Sequence, residues 1–198
     1  MRGVAPFLLA AALAVTGCSS GADGVSATPL DGPSTPPPPA NVVAVAGTGV
    51  VPVRACESHV VGDIAGWRRV ATIVGPVGFA GLPSYETAPD RFFRARGERF
   101  PTLKSLLIVE RGPAVTIRVL QPDRSRLLYD PEGWTSQRTY RLEQGEPAMV
   151  FEPCDDLRST QFNGAWLVTG RMCVTVEVAV QGREPQRAEV PLGLASCG

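Results

Sequence analysis

The sequence contains few of the residues on which enzyme chemistry usually depends. Its 198 residues include a single histidine, His59, and a single lysine, Lys104. A serine hydrolase needs a nucleophile, a base and usually a carboxylate. Ser-x-x-Lys is absent from the chain, and the single Gly-x-Ser-x-Gly match, at residues 17–21, falls in the N-terminal segment before any strand pattern begins. Cys-x-x-Cys spacing is absent too, which argues against a zinc site of four thiolates. We therefore expect no catalytic residue, no metal and no cofactor.

Excess positive charge is also missing, and this bears on possible partners. Basic and acidic side chains number 19 each, and loss of Arg2 with a processed N-terminus would leave 18 against 19, a net charge of about −1. A domain that binds nucleic acid usually carries a clear basic excess. We expect no nucleic acid partner.

The first residues are typical of an export signal. A short basic start is followed by an apolar run from Val4 to Val15, which is too short for a permanent membrane span. The four residues ending at Cys18 resemble a bacterial lipobox, whose cysteine becomes the lipidated N-terminus. We predict a signal peptide over residues 1–17, lipidation of Cys18 and a location on the extracytoplasmic face of the cell membrane, anchored in membrane lipid. An ordinary secretory signal cut nearby is the alternative.

Residues 18–41 are predicted to form a disordered stalk. They consist mainly of Ser, Gly, Ala, Thr, Asp and Pro and end near four consecutive prolines at 36–39. An extended stalk of this length could hold a domain up to roughly 60–70 Å from the membrane. The folded domain is then expected over residues 42–198.

Four cysteines remain in that domain, Cys56, Cys154, Cys173 and Cys197. An even number in an oxidising compartment predicts two disulfides, and four cysteines allow three pairings. We favour Cys154 with Cys173, flanking a compact excursion of the chain, and Cys56 with Cys197, joining the first and last strands.

The strand pattern predicts an all-β fold. Met172–Val180 alternates apolar and more polar residues, so it should bury one face. Turn residues at 111–113 predict a hairpin between strands at 104–110 and 114–120, and Asn163-Gly164 is a tight-turn signal. The region 81–101 should be a long loop with a helical turn around 91–94. Eight to ten short strands favour an antiparallel β-sandwich, immunoglobulin-like or jelly-roll-like, with a small barrel as the alternative.

The C-terminal part carries a distinctive set of short motifs. Phe151-Glu152-Pro153-Cys154, then 161–166, then a Gly-x-x-Cys-Val strand and Val190-Pro191-Leu192-Gly193 before Cys197 resemble a group of uncharacterised actinobacterial secreted or lipid-anchored proteins with a cysteine-rich C-terminal half. No activity is known for that group. The resemblance therefore implies location and fold only.

Two regions are candidates for a binding surface. The segment Arg91, Phe92, Phe93 and Arg94 could meet an anionic wall polymer, because arginine forks match phosphate oxygens. Trp134 and Trp166 are further candidates, since an exposed tryptophan can stack on a sugar ring. The alternative is that Phe92 and Phe93 cover the open end of the sandwich while the arginines are solvated or paired, and that Trp166 fills the core. Asp155-Asp156 could bind calcium or simply form a solvated turn.

From these features we expect a non-enzymatic binding or interaction module of the cell envelope, whose partner is an envelope protein or wall polymer. An envelope hydrolase or carbohydrate-active enzyme using loop carboxylates is the alternative from another class. A purely structural envelope component is the third.

Overall fold

The computed structural model describes residues 50–62, 64–129 and 139–198, and all of these fall within one compact unit, Pro38–Gly198. The predicted signal peptide, stalk, Cys18 and Trp134 lie outside the described residues. The described strands are β1 (Val53–Arg54), β2 (Ala71–Val74), β3 (Val77–Ala80), β4 (Phe100–Lys104), β5 (Leu106–Glu110), β6 (Val115–Val119), β7 (Ser125–Leu128), β8 (Thr139–Tyr140), β9 (Ala148–Phe151), β10 (Ser159–Phe162), β11 (Ala165–Val168), β12 (Met172–Val180) and β13 (Gln186–Leu192). Short 3₁₀ turns occupy Cys56–Ser58, Trp67–Arg69, Leu82–Tyr85, Asp90–Phe93 and Leu142–Gln144.

The strands form three sheets, and the described ranges contain no α-helix. The first sheet has the order β1-β9-β6-β12-β13, the second β10-β5-β3-β2 and the third β7-β11-β4-β8. Only β1 and β9 run parallel among the described pairs. The prediction of an all-β, mainly antiparallel sandwich is therefore confirmed.

Strand β12 has the alternation that its sequence predicts. Met172, Val174, Val176 and Val178 are buried, and the residues between them are only partly covered. The strand lies between β6 and β13, with the buried side chains in the main hydrophobic core. The alternation predicts the burial of β12 correctly because one face of the sheet packs in the core and the other meets solvent.

The second and third sheets are joined by a strand corner. Strands β10 and β5 pair from Ser159 opposite Glu110, and β11 and β4 pair from Ala165 opposite Lys104 in the same register. No residue is gained or lost between the two ladders, and the Ser105 amide donates to the Gly164 carbonyl over 3.0 Å at the bend. Two long strands therefore turn the corner together and pass from one sheet to the other.

This corner corrects the tight turn predicted at Asn163-Gly164. The two residues continue an antiparallel ladder instead of reversing the chain. Gly164 is needed there for space: a Cβ atom at this position would lie 2.5 Å from Cγ of Tyr129 and 2.8 Å from the Leu128 carbonyl oxygen. The glycine signal therefore reflects close packing and not a hairpin turn.

The hairpin predicted between 104–110 and 114–120 is also wrong. Strand β5 pairs with β3 and β10, whereas β6 pairs with β9 and β12 in another sheet. The physical difference lies in their burial: Leu107, Ile108 and Val109 are all buried in β5, while β6 alternates. The turn at 111–113 therefore carries the chain between sheets.

The loop from Gly81 to the start of β4 follows the prediction more closely. A 3₁₀ turn at Asp90–Phe93 lies where a helical turn was expected, and a second precedes it at Leu82–Tyr85. Before this loop, the 3₁₀ turn Trp67–Arg69 is followed by the β2–β3 hairpin, in which Gly75-Pro76 reverses the chain.

All four domain cysteines form disulfides, but the favoured pairing is wrong. The inner disulfide joins Cys56 to Cys154, and the C-terminal disulfide joins Cys173 to Cys197. The parallel pairing of β1 with β9 brings Cys56 and Cys154 together just beyond the ends of those strands. Cys197 follows β13, whose pairing with β12 brings the chain back toward Cys173.

Candidate functional site

The strongest candidate surface is the arginine loop, residues 91–99. It begins in the 3₁₀ turn Asp90–Phe93 and continues in extended backbone at Arg94. The side chains of Arg91, Arg94 and Arg96 are exposed. None of these three arginines has an ion pair with any residue that the structure describes. The loop therefore presents three guanidinium groups that are available to an external anion.

The acidic residues nearest in sequence are paired elsewhere. Asp90 lies 3.1 Å from Nε of Arg171, and Glu98 lies 3.4 Å from a guanidinium nitrogen of Arg141. Arg99 donates to the backbone carbonyl of Thr139 over 2.6 Å. These contacts leave the positive charge of Arg91, Arg94 and Arg96 without an internal counterion from the same loop.

Arg171 holds the base of the arginine loop against the rest of the domain. Its guanidinium donates to the backbone carbonyl of Glu86 over 3.1 Å and to those of Ala88 and Gly193, besides the Asp90 contact. A planar guanidinium with five N–H groups suits such a cluster of carbonyls. Arg171 directly precedes β12, which lies between β6 and β13, so the loop is fixed at the start of that strand in the first sheet.

The aromatic residues of this segment divide between core and surface. Phe93 is only 6% exposed and packs in the main core with the Arg171 guanidinium 4.4 Å above its ring, so its prediction as a contact residue is wrong. Phe92 is 37% exposed, and its ring centroid lies 5.6 Å from that of Tyr85. Burial raises the pKa of the Tyr85 hydroxyl, and the hydrogen bond from the Lys104 amide opposes this shift.

The tryptophans do not extend this surface within the described residues. Trp166 is fully buried and packs edge-on against Phe79 at 5.1 Å, so the core-filling alternative is correct. Trp134 lies outside the described residues. The arginine loop thus retains Arg91, Phe92 and Arg94 from the predicted contact residues and adds Arg96.

A second cluster surrounds the inner disulfide. One ligand atom each of Cys56, His59 and Cys154 lies within 4.8 Å of the other two, and this is the only such group of three that the described residues contain. Nδ1 of His59 is 2.8 Å from the Cys56 carbonyl oxygen, which can only accept, so the neutral ring donates from Nδ1. Asp155 and Asp156, the candidate calcium ligands, do not belong to this cluster.

The most buried titratable hydroxyl has no role as a base. Tyr129 is fully buried, and desolvation raises the pKa of its phenol, with Ser105 and Arg54 opposing the shift. A phenol that keeps its proton in this way does not accept one near neutral pH. Its structural role is to fill the corner beside Gly164 and to pack edge-on against Phe151.

No family model matches the chain, and no curated protein matches it. Within the described residues, no helix is long and apolar enough to cross a membrane.

Proposed function

We propose that the protein is a lipid-anchored, extracytoplasmic binding module of the cell envelope, related to the actinobacterial group that its C-terminal motifs resemble. The single observation that supports a binding role is the fixed arginine loop with three exposed guanidinium groups and the partly exposed Phe92. Anchoring rests on the lipobox resemblance at Cys18. The disulfides suit an oxidising compartment.

The partner that this loop fits is an anionic wall polymer. Arginine forks bind phosphate and carboxylate oxygens in two-pronged geometry, and an adjacent aromatic ring adds contact area. The loop base is held by Arg171, so less conformational entropy is lost when a partner orders the arginines. A stalk of the predicted length places the domain in the wall and not at the lipid headgroups, which favours a polymer.

The direct test is cosedimentation of the oxidised protein with purified anionic wall material. We expect binding that weakens as salt rises, because exposed charges are screened. Each arginine beside an anionic surface contributes about 1 kcal/mol, or about 3 kcal/mol for three. The triple variant R91Q/R94Q/R96Q should therefore bind at least about tenfold more weakly, a loss of about 1.4 kcal/mol or more.

A matched control removes the same charge from other elements. Three exposed arginines serve this purpose. Arg124 directly precedes β7, Arg158 directly precedes β10, and Arg183 lies in the β12–β13 turn. The variant R124Q/R158Q/R183Q should bind within about twofold of the wild type. Equal losses in both triple variants would show a nonspecific charge effect, and capture of a protein instead of the polymer would contradict the proposed partner.

Anchoring has its own test. Cys18→Ser should release the protein from membranes into the soluble extracytoplasmic fraction. Membrane retention of this variant at the wild-type level would contradict lipidation at Cys18.

A further inference from the structure

The cluster around the inner disulfide combines the three side chains that a soft or borderline metal ion prefers. Zinc and copper(I) bind thiolate and imidazole ligands, and zinc sites with two cysteines and one histidine keep a fourth position open. In the oxidised protein the two sulfurs are bonded to each other, so neither is a thiolate. Metal binding would therefore require the dithiol form.

The ligand spacing is close to what a tetrahedral site needs. With Zn–S near 2.3 Å and Zn–N near 2.0 Å, the ligand atoms lie about 3.5–3.8 Å apart. The three ligand atoms of Cys56, His59 and Cys154 already lie within 4.8 Å of one another. The Cα atoms of Cys56 and Cys154 are 5.0 Å apart.

The backbone that carries these ligands is held by contacts other than the disulfide. The Arg54 guanidinium donates to the hydroxyl and carbonyl oxygens of Ser58 over 2.9 Å each, which fixes the turn between Cys56 and His59. The Cys154 amide donates to the Thr160 hydroxyl over 2.6 Å.

Strand pairing adds to these contacts. The β1–β9 ladder ends at Arg54 and Phe151, a few residues before the two cysteines, and the Val60 amide donates to the Gln161 carbonyl just after His59. Reduction would therefore leave the three ligands close together, because these hydrogen bonds do not depend on the S–S bond.

We propose that Cys56, Cys154 and His59 form a metal site for Zn²⁺ or Cu⁺ in the reduced protein, and that oxidation closes it. A dithiol reductant supplies two electrons and two protons, the S–S bond breaks, and the reductant leaves as its own disulfide. The metal ion then forms two bonds to sulfur and one to a histidine nitrogen, and the two thiol protons pass to solvent. Oxidation by a disulfide oxidant returns two electrons to that oxidant and releases the ion.

The C-terminal disulfide supplies an internal comparison. Cys173 and Cys197 belong to no group of three ligand-bearing side chains within the described part of the chain. Cys197 lies beyond β13, so reduction frees the segment that follows Leu192. The two cysteine pairs therefore differ in both the third ligand and the rigidity of the backbone.

The test uses the full chain, reduced with dithiothreitol, desalted without oxygen and titrated with Co²⁺ alone as a spectroscopic probe. We expect one Co²⁺ per chain, with thiolate-to-cobalt charge-transfer bands and the visible bands of a tetrahedral ion, and displacement by Zn²⁺. C173S/C197S should keep this spectrum and C56S/C154S should lose it. The oxidised protein should show neither band.

Two further measurements separate a built site from loose cysteines. His59→Ala should weaken Co²⁺ binding at least about tenfold while near-ultraviolet circular dichroism shows the same fold. The same titration in urea should show much weaker binding, because the three ligands are then far apart. Equal affinity in His59→Ala, equal affinity in urea, or loss of the spectrum in C173S/C197S would each overturn the proposal.

Discussion

Gly164 offers a sharp test of the strand corner that joins the second and third sheets. An alanine there would bring a Cβ atom to 2.5 Å from a ring carbon of Tyr129 and 2.8 Å from the Leu128 carbonyl oxygen. Both distances are far below ordinary van der Waals contact, and the ring is fully buried against Phe151. Neither neighbour can move away without disturbing the core.

The expected cost follows from overpacking. Added carbon atoms in packed cores cost about 1–3 kcal/mol, and this site combines a buried ring with a backbone carbonyl, so we expect about 3 kcal/mol for Gly164→Ala. For a domain of this size each kcal/mol lowers the midpoint temperature of thermal unfolding by about 2–4 °C. Tryptophan fluorescence of the oxidised protein should therefore show a midpoint about 6–12 °C lower on heating. Urea titration should show the loss of about 3 kcal/mol directly.

Gly170→Ala is the matched control, because a Cβ atom there meets nothing within 4 Å and its backbone φ is not in the left-handed region. Its effect should stay within about 0.5 kcal/mol. In a Tyr129→Leu background the cost of Gly164→Ala should fall by at least about 1 kcal/mol, since the ring no longer opposes the new methyl group. A Gly164→Ala variant as stable as Gly170→Ala would refute this account of the corner.

Three further predictions concern stability. Arg171→Met should lower the free energy of unfolding, measured by urea titration, by at least about 2 kcal/mol, because even one hydrogen bond to a charged group contributes about 1.5–3 kcal/mol. Arg187→Met at an exposed ion pair should cost under about 1 kcal/mol, and similar losses in the two variants would contradict the anchoring role. Because the pKa of Tyr129 is raised in the folded state, this phenol ionises first in the unfolded state above about pH 10. The free energy of unfolding of the wild type should therefore fall by up to about 1.4 kcal/mol per pH unit above that pH, and Tyr129→Phe should lack this part of the fall. The inner disulfide closes a loop of 98 residues and the C-terminal disulfide a loop of 24. In the chain-entropy description, serine substitution of the inner pair should therefore lower the free energy of unfolding by about 4.7 kcal/mol, against about 3.4 kcal/mol for the C-terminal pair. Mass mapping of linked peptides should recover these two pairs.

Local patterns in the sequence predicted the elements that depend on local physics. The alternation of Met172–Val180 marks a strand with one buried face, and the punctuation between Gly81 and Pro101 marks a loop with a helical turn. The even number of domain cysteines predicted two disulfides, and all four are bonded. Each of these features follows from composition and spacing within a few residues.

Strand partners could not be predicted, because pairing joins residues far apart in sequence. A turn such as 111–113 fits a hairpin and a crossing between sheets equally well, and only the burial of Ile108 on the second face of β5 separates the two. The glycine at 164 likewise fits a turn until Tyr129, 35 residues earlier, occupies the space beside it. The wrong disulfide pairing has the same origin, since β1 pairs with β9 across about a hundred residues.

The candidate surface could be predicted only in part, because some of its contacts also join residues far apart in sequence. A dense run of arginine and phenylalanine at 91–94 identified the loop, but not which phenylalanine faces solvent. Arg171 lies 81 residues from Asp90, and nothing near it in the sequence indicates that it holds the loop. The sequence shows His59 three residues after Cys56, so their proximity is local. The proximity of His59 to Cys154 could not be predicted, because it depends on the Cys56–Cys154 disulfide, which was not the favoured pairing.

The entry of the chain into the domain determines how the domain would bear a mechanical load. A pull from the residues before Val53 acts first on β1, which contributes only two residue pairs to the sheet. Two residues after β1 the load reaches Cys56 and passes through a covalent bond to Cys154, beyond the end of β9. In the oxidised protein the load can detach β1 but cannot separate Cys56 from Cys154, whereas in the reduced protein only hydrogen bonds would hold the two segments together.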